Sequence, residues 1–316
     1  MNNFTLIIPT HNRHHYLKRS MEYFKNLDAE VVYCDSSLEK YEGELHPNIN
    51  YLHLPGKNFA SKILFALSGI KTDFTALCAD DDFIVIDSLY KGLSVLTGDR
   101  NYKTIVGKYI SFEDHFDGNY YPLYQELPNS INGNPEKNVD LFFSNYYQIL
   151  WAMYDKELVL NAFKIINDAK FYNDNYIELI VGAYACYGGG IKFMDEIWGV
   201  REVSSKEHWG NKHVPIKSMK IAQIQGDYEK FQSLLDKITF NGYAEKVMAN
   251  YLHSHIKLNG FFKFWISKII PKNIKEILFN FFKNTKGRQV NLNQSQVKNL
   301  NPITDILNNC NLNNVK

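Results

Sequence analysis

The sequence predicts an α/β fold built around a mainly parallel sheet. In the first hundred residues, short apolar runs alternate with longer segments of helical periodicity, which is the pattern of successive strand–helix–strand units. With 316 residues, 45% of them hydrophobic, the chain can bury a substantial core. Because ligands bind at the carboxyl ends of the strands in such sheets, the residues after each apolar run are the first candidates for function.

The individual elements follow from the spacing of apolar residues along the chain. Strands are predicted at 4–8, 31–34, 74–78, 104–110 and 191–193. Helices are predicted at 16–27, 59–70, 88–96, 139–147 and 175–187. Residues 113–138 are polar and aromatic with Gly and Pro breakers, which indicates a long surface loop. From about residue 219 the pattern is helical only, and the Asn- and Gln-rich stretch 289–316 is expected to be disordered.

Charge and cysteine content argue against several classes of protein. The 35 basic and 34 acidic residues give a net charge of +1, so there is no overall positive field to capture nucleic acid. The four cysteines are far apart and form no C-x-x-C pair, which disfavours a zinc ribbon or a disulfide framework and favours a reducing, cytoplasmic setting. Neither a secretory signal nor a bilayer-spanning segment is expected from the apolar pattern.

An acidic cluster, Asp80 to Asp82, follows the predicted strand at 74–78 and is the main candidate for a metal site. Hard divalent cations such as Mn²⁺ or Mg²⁺ prefer carboxylate oxygens. If strand geometry continued, alternation would place Asp80 and Asp82 on one face. Asp82 is then the predicted metal ligand, and Asp80 is predicted to bind the ribose hydroxyls or a water on the metal, so both count as candidates for the metal site. The structural alternative is a solvated acidic turn, or a helix cap from Asp81 or Asp82.

Three motifs resemble those of the family 2-like glycosyltransferases of the GT-A fold. The first strand ends in a Pro-Thr-x-Asn-Arg type of turn from Pro9 to Arg13, the second ends in Asp35, and a later one ends in the acidic cluster. Their order and spacing match that family over residues 4–110, and more loosely over 170–205. The resemblance implies a GT-A, Rossmann-like domain that binds a nucleotide-diphosphate sugar, followed by a helical C-terminal region.

The resemblance also implies roles for single residues. Pro9, Thr10 and Asn12 would line the nucleotide pocket, Asp35 would accept a hydrogen bond from uracil, and Lys62 would lie near the nucleotide or its phosphates. His11 stands where the family usually has Tyr, so the family's aromatic packing on the base is not carried over. The residues implied to contact the nucleotide sugar are Pro9, Thr10, Asn12, Asp35, Lys62, Asp80, Asp81 and Arg201.

An inverting transferase needs a general base that takes the proton from the acceptor hydroxyl. Asp174 and Glu178 lie one helical turn apart near the start of the predicted helix 175–187 and would share a face. In the family the base lies about three turns before a glycine, and counting back from Gly189 favours Glu178. Asp174 would then cap the helix. Both residues remain catalytic candidates.

Three further residues are candidates around this site. GT-A enzymes often bring a His or a basic residue from the region after the last strand, so the resemblance makes His208 a metal ligand and Arg201 a diphosphate clamp. A surface position with local hydrogen bonds is the alternative for His208. Trp151 is favoured for the acceptor site because aromatic faces stack on sugar rings, and core packing is the alternative.

The predicted function is that of a metal-dependent, inverting, hexosyltransferase-type enzyme. It would move a sugar from a nucleotide-diphosphate donor, with UDP favoured, to a bacterial glycan or glycolipid. Residues 1–110 would bind the donor, residues 111–215 the acceptor, and residues 216–288 would form a helical region. A sugar-nucleotide pyrophosphorylase is a second hypothesis, although the turn from Pro9 to Arg13 contains no glycine for a phosphate loop. A non-catalytic carbohydrate-binding or scaffolding protein with the same fold is a third.

The segment 260–288 suggests peripheral contact with a membrane. It mixes Phe, Trp and Ile with seven basic residues and the single acid Glu276. This composition suits a helix lying among anionic headgroups at the inner face of the cytoplasmic membrane, near a lipid-linked acceptor. A core or interface helix with lysines at its edges would produce the same pattern. The sequence does not predict an oligomeric state.

Overall fold

The computed structural model of the chain describes residues 2–113, 116–123, 126–203, 221–238, 244–250 and 289–313. Within these ranges, a nine-stranded mixed sheet has the order β3-β2-β1-β4-β8-β6-β9-β5, with β7 paired to β6. The strands are β1 (Phe4–Thr10), β2 (Glu30–Asp35), β3 (Ile49–His53), β4 (Phe74–Leu77), β5 (Phe83–Ile84), β6 (Thr104–Phe112), β7 (Tyr121–Pro122), β8 (Met153–Asp155) and β9 (Ile191–Glu202). The helices are α1 (His14–Phe24), α2 (Phe59–Gly69), α3 (Ile86–Gly98), α4 (Pro135–Ser144), α5 (Lys156–Ala169), α6 (Asn175–Gly188), α7 (Ile221–Ile238) and α8 (Gln294–Asn313), and residues 244–250 are helical as well.

The first four strands of the sheet form a parallel block. β1 lies between β2 and β4, and β3 pairs with the outer side of β2. All seven residues of β1 are buried, as expected for a strand covered on both faces. The carboxyl ends of these strands lie along one edge, where Thr10 stands opposite Asp35.

β8 reverses the strand direction and connects this block to the second part of the sheet. It runs antiparallel to both β4 and β6, so β6 is again parallel to β4, and β9 pairs in parallel with β6. The carboxyl end of β9, which carries Arg201 and Glu202, therefore lies at the same edge as the ends of β1, β2 and β4. Residues more than 100 positions apart meet there.

The pairing of β6 with β9 is irregular around Gly107, where the register shifts. A Cβ atom at Gly107 would lie 2.5 Å from the Glu196 carbonyl oxygen, so only glycine allows the two strands to approach so closely here. β9 continues through this irregularity for 12 residues, to Glu202. The prediction of a strand ending at residue 193 is therefore wrong, because exposed Asp195 interrupts the apolar run without ending the strand.

The predicted α/β class is confirmed, and the predicted strands and helices are present with shifted ends. Six elements were not predicted, namely β3, β5, β7, β8, α5 and α8. The predicted loop at 113–138 contains the short strand β7 and ends earlier than expected, because α4 begins at Pro135. The side chain of Asn134 caps that helix by accepting from the amides of Glu136 and Lys137.

Residues 221–238 and 244–250 are helical, as predicted, and residues 294–313 form the packed helix α8 in place of the expected disordered tail. Helix α8 packs against α1, with Leu300, Ile303 and Leu307 buried. The Tyr120 hydroxyl and Thr304 Oγ1 lie 2.9 Å apart. The prediction of disorder over 289–316 is therefore wrong for residues 294–313. Apolar residues at helical spacing form a buried stripe that the Asn-rich composition hides.

Candidate active site

A cavity of about 720 Å³ opens at the edge of the sheet where the carboxyl ends meet. Its wall is formed by the turn after β1, the start of α2, the turn after β4, the segment before β8, the start of α6 and the end of β9. Nine of the predicted site residues line it, and these are Pro9, Thr10, Asn12, Lys62, Asp80, Asp81, Asp174, Glu178 and Arg201. Cavities of this size accommodate small ligands and cofactors.

The turn after β1 is held in an uncommon backbone conformation. Asn12 has a φ angle of 54°, in the left-handed region that Asn tolerates better than most residues. The backbone amide of Asn12 donates to Ser37 Oγ at 2.7 Å, which connects the turn to the end of β2. This arrangement directs the following residue, Arg13, towards the acidic cluster.

The chain turns as soon as β4 ends, and Asp80 and Asp81 bind the same arginine. Thr10 Oγ1 donates to Asp80 Oδ2 at 2.6 Å. The Arg13 guanidinium forms ion pairs with Asp80 and, at 2.9 Å, with Asp81 Oδ2. All three acidic side chains of the cluster are buried, so the arginine compensates charge that water does not reach.

Asp82 turns to a different set of partners at the end of β9. Arg201 Nε donates to Asp82 Oδ2 at 2.9 Å, and the Glu202 amide donates to Asp82 Oδ1 at 3.1 Å. The expectation that continuing strand geometry would place Asp80 and Asp82 on one face is wrong, because residues 79–82 form a turn. Among the described residues that line the cavity, Asp82 is not found.

Burial raises the pKa of two of these carboxyl groups. The pKa of Asp80 rises to about 6, with the neighbouring charge of Asp81 adding to the effect of burial and Arg13 opposing it. The pKa of Asp82 rises to about 7, because burial outweighs the attraction of Arg201. Burial therefore makes the negative charge of the cluster unfavourable in free energy, and a further cation bound beside it would stabilise that charge.

Behind the cluster lies a buried ion pair between Arg19 and Glu202. Arg19 donates to Glu202 Oε2 at 2.6 Å and to the Asp81 carbonyl oxygen at 2.7 Å. The Tyr16 hydroxyl donates to Glu202 Oε1 at 2.6 Å. The guanidinium of Arg19 also lies within 6 Å of the ring centroids of three aromatic residues, Tyr16, Phe83 and Phe112. These contacts hold the turn after β4 and the end of β9 together.

Lys62 is buried between the ends of β1 and β2 and reaches the cavity wall. Its Nζ donates to the Thr10 carbonyl oxygen at 2.5 Å and to Ser36 Oγ at 3.2 Å. Burial lowers the pKa of Lys62 to about 8, although the charge of Asp80 opposes this effect. The lysine is thus a cation at neutral pH whose hydration has been replaced by two protein acceptors.

Asp35 lies behind the cavity wall and is fully buried. Its Oδ1 accepts from the amide and the hydroxyl of Ser37, and its Oδ2 accepts from Tyr51 at 2.6 Å and from His14 at 3.0 Å. Burial alone would raise the pKa of Asp35, but these hydrogen bonds outweigh it and lower the pKa. Among the described residues that line the cavity, Asp35 is not found. A nucleobase could hydrogen-bond to the Asp35 carboxylate only by displacing one of these donors.

Gln148 connects the acidic cluster to Glu178 on the other side of the cavity. Its Nε2 donates to Glu178 Oε2 at 3.4 Å, and its Oε1 accepts from Arg201 Nη1 at 2.5 Å. Because Arg201 also binds Asp82, four side chains form one chain of hydrogen bonds. Burial raises the pKa of Glu178 to about 7, with Arg201 opposing the shift. A carboxyl with this pKa can exchange a proton near neutral pH.

Asp174 also lines the cavity, at the N-cap position of α6. The expected side-chain cap is made by its neighbour, because Asn173 Oδ1 accepts from the Asn175 amide at 3.0 Å. Within the described part of the chain, the Asp174 side chain makes no capping hydrogen bond to α6. Asp174 therefore occupies the N-cap position, as expected, but without the side-chain hydrogen bond of a cap.

Of the remaining predicted features, the structure describes Trp151 but neither His208 nor the segment 260–288. Trp151 lines the cavity beside Phe59, with ring centroids 6.1 Å apart. His208 lies outside the described residues, as do residues 260–288. Sequence reasoning missed several residues that organise the site, namely Arg13, Arg19, Gln148 and Glu202. Within the described ranges, no group of three or more His, Cys, Asp or Glu side chains is arranged as a preformed metal site.

Comparison with known proteins shows the fold. No protein-family model matches the sequence, and neither does any curated protein. The crystal structure of S. aureus TarS 1-349 in complex with UDP-GlcNAc is similar with a TM-score of 0.54 and 17% identity, over 80% of this chain and 72% of that chain. The crystal structure of S. aureus TarS 1-349 in complex with UDP is similar with a TM-score of 0.51 and 15% identity, over 98% of this chain and 88% of that chain.

Both solved structures have a GT-A-like fold. The predicted GT-A fold is therefore confirmed for this chain. At these identities the similarity establishes the architecture alone. The donor, the metal and the acceptor have to be inferred from the residues that line the cavity.

Proposed function

We propose that this protein is a glycosyltransferase that uses a nucleotide-diphosphate sugar, with a UDP-sugar favoured. One observation carries the proposal: in a GT-A-like fold, a single cavity has a buried acidic cluster on one side and carboxylates that can act as bases on the other. The crystal structures of TarS with UDP-GlcNAc and with UDP support a uridine nucleotide as the donor.

The donor would bind along the edge formed by β1, β2 and β4. The turn from Pro9 to Asn12 and the Lys62 ammonium would line the nucleotide portion. Asp35 would act indirectly, since it fixes the cavity-lining residue Ser36 through its bonds to Ser37. Arg201, which faces both the cavity and Asp82, would hold the diphosphate by charge-assisted hydrogen bonds.

The acidic cluster has the chemistry to hold a divalent cation. Asp80 and Asp81 present hard oxygen donors at the cavity wall, and Asp82 would join them by exchanging its bond to Arg201. The raised pKa of Asp80 supports this role, because a bound cation would stabilise the charged form that burial disfavours. Mn²⁺ or Mg²⁺ bound here would stabilise the charge of the departing diphosphate. We propose Asp80 and Asp82 as ligands, with His208 as a further ligand.

Glu178 is proposed as the general base in an inverting reaction. Its carboxyl would take the proton from the acceptor hydroxyl as that oxygen attacks the anomeric carbon, so no covalent enzyme intermediate is needed. Its pKa of about 7 suits this task at neutral pH. Asp174 is the second candidate, because it lines the same side of the cavity one helical turn before Glu178.

The acceptor is proposed to be a bacterial glycan or glycolipid. Trp151 and Phe59 offer an aromatic surface in the cavity wall that suits a sugar ring. We further propose that the protein works at the inner face of the cytoplasmic membrane, with residues 260–288 contacting anionic lipid. No described helix is long and apolar enough to cross a bilayer. Sedimentation with anionic vesicles at low salt tests the contact, and failure to pellet would remove it.

Two other functions make different predictions. A sugar-nucleotide pyrophosphorylase would form a nucleotide sugar from a nucleoside triphosphate and a sugar phosphate, and the turn from Pro9 to Arg13 has no glycine-rich phosphate loop for that task. A non-catalytic carbohydrate-binding protein would not need the linked groups Glu178, Gln148 and Arg201.

A donor screen tests the proposal. Release of nucleotide from UDP-, GDP- and CDP-sugars is measured with full-length protein, with and without Mn²⁺ or Mg²⁺, in the presence of a panel of sugar acceptors. We expect release from a UDP-sugar that depends on the cation. Release of pyrophosphate from a nucleoside triphosphate would support the pyrophosphorylase instead, and no turnover with any donor would support the binding protein.

A further inference from the structure

Helix α7 contacts the candidate active site through the loop that precedes α6. This loop, residues 170–174, connects the end of α5 to the start of α6. It ends at Asp174, and Glu178 follows one helical turn later, so its position sets the position of both candidate bases.

One carboxylate of α7 binds two successive amides of this loop. Asp227 Oδ1 accepts from the Tyr172 amide at 3.1 Å, and its Oδ2 accepts from the Asn173 amide at 2.7 Å. Asp227 is only 5% exposed, so both bonds are shielded from water. Charge-assisted hydrogen bonds of this kind are roughly twice as strong as neutral ones.

A second residue of α7 binds the start of the same loop. Lys230 Nζ donates to the Lys170 carbonyl oxygen at 2.8 Å and lies 3.3 Å from Asp227 Oδ1. Lys170 itself has a φ angle of 51°, a left-handed conformation in which the chain leaves α5. The loop is therefore fixed at both ends by a pair of oppositely charged residues on one helix.

Packing below the loop extends the connection into α6. The ring of Tyr176 stacks on Phe171 with centroids 5.5 Å apart and contacts Phe231 of α7 at the same distance. Tyr176 and Phe231 are fully buried. The first turn of α6 is thus positioned by α7 from two sides, through the amides of the loop and through aromatic packing.

We propose that Asp227 is a positioning residue for catalysis: by binding the amides of Tyr172 and Asn173, it holds the first turn of α6 so that its carboxylates face the acceptor. The inference rests on the proposed function. It assigns a task to the C-terminal helical region, which lies outside the strands and turns that form the donor side. Asp227 touches neither the cavity nor the reacting groups, so its effect on turnover passes through the backbone of the loop.

The test compares Asp227→Asn with a matched substitution. Asp155→Asn also removes a carboxylate that accepts a backbone amide at a helix start, since Asp155 Oδ1 accepts from the Leu158 amide at 3.1 Å, but it lies away from the cavity. Lys230→Met removes the bond to the Lys170 carbonyl oxygen and the ion pair with Asp227 but keeps the two amide bonds of Asp227, so it serves as a milder variant if Asp227→Asn fails to fold. Hydrogen exchange and UDP release from UDP-GlcNAc with Mn²⁺ are measured for each, well below its melting temperature.

We expect Asp227→Asn to speed amide exchange at residues 172–180 at least tenfold and to lower kcat for UDP release at least tenfold, with the KM for the donor changed less than twofold. Lys230→Met should change both in the same direction by a smaller factor. Asp155→Asn should leave kcat unchanged. Unaltered exchange at residues 172–180, or faster exchange with unaltered kcat, would overturn the proposal. Absence of UDP release from the unsubstituted protein would instead refute the proposed function on this donor, and the exchange data alone would then decide whether Asp227 holds the loop.

Discussion

The two sides of the cavity hold their carboxylates in different ways. On the donor side, each carboxylate of the acidic cluster is paired with a guanidinium, Asp80 and Asp81 with Arg13 and Asp82 with Arg201. On the acceptor side, Glu178 accepts its hydrogen bond from the neutral amide of Gln148. Burial raises the pKa on both sides, to about 6 for Asp80 and to about 7 for Asp82 and Glu178, so the two sides differ in the charge of their partners and not in the pKa of their carboxyls. The guanidinium groups suit the donor side to binding charged groups, whereas the neutral Gln148 suits the Glu178 carboxyl to moving a proton.

The largest expected effect comes from removing charge on the donor side. Asp82→Asn should lower cation-dependent nucleotide release by at least about 1,000-fold, because a Lewis acid contributes several kcal/mol to stabilising the leaving group. Asp87→Asn is the matched control, since Asp87 is exposed in the first turn of α3. Circular dichroism checks that both variants fold. Unchanged release across a Mn²⁺ titration of Asp82→Asn would remove Asp82 from the metal site.

On the acceptor side, Glu178→Gln should affect turnover without affecting donor binding. General base catalysis typically contributes about 100- to 10,000-fold, and the base interacts only with the acceptor proton. Steady-state kinetics should therefore show a large fall in kcat with a nearly constant KM for the donor. Asp174→Asn should have a smaller effect. The reverse ranking would assign the base to Asp174, and two equally mild effects would remove both residues from the chemistry.

The proton-transfer task also predicts a pH dependence. A base must be deprotonated, and the pKa of Glu178 is about 7, so kcat should fall by roughly tenfold between pH 8 and pH 6. Asp174→Asn should keep this acidic limb of the profile. A wild-type profile that stays flat over this interval would show that the base titrates elsewhere.

The smallest expected effect is on stability. Burial raises the pKa of Glu178 in the folded protein, so its favourable contribution is complete below the unfolded pKa of about 4.5 and is lost as the pH rises through about 7. Glu178→Gln should therefore gain about 1 to 3 kcal/mol relative to wild type between pH 4.5 and pH 8. Urea unfolding at several pH values measures the difference. A constant difference would mean that Glu178 is better solvated than its position indicates.

The donor side was more predictable from sequence than the acceptor side, and the reason is physical. β1, β2 and β4 are buried parallel strands that appear as apolar runs, so the residues after them could be identified at once. β3 is partly exposed and β8 has three residues, so neither produces such a run. The roles of Arg13, Gln148 and Glu202 were not predicted because their partners lie 30 to 186 positions away along the chain, and only the strand order brings them together.

The most direct test of the central claim is a calorimetric titration of UDP into the full-length protein, with and without Mn²⁺, compared with the same titration of Asp80→Asn. Asp80 lines the cavity and is the most deeply buried member of the cluster, so it should couple nucleotide binding to cation binding. We expect one UDP per chain, bound at least about tenfold more tightly with Mn²⁺, which corresponds to about 1.4 kcal/mol, and loss of that gain in the variant. No binding of UDP under either condition, or equal binding by wild type and variant, would contradict a nucleotide-sugar site at this cavity.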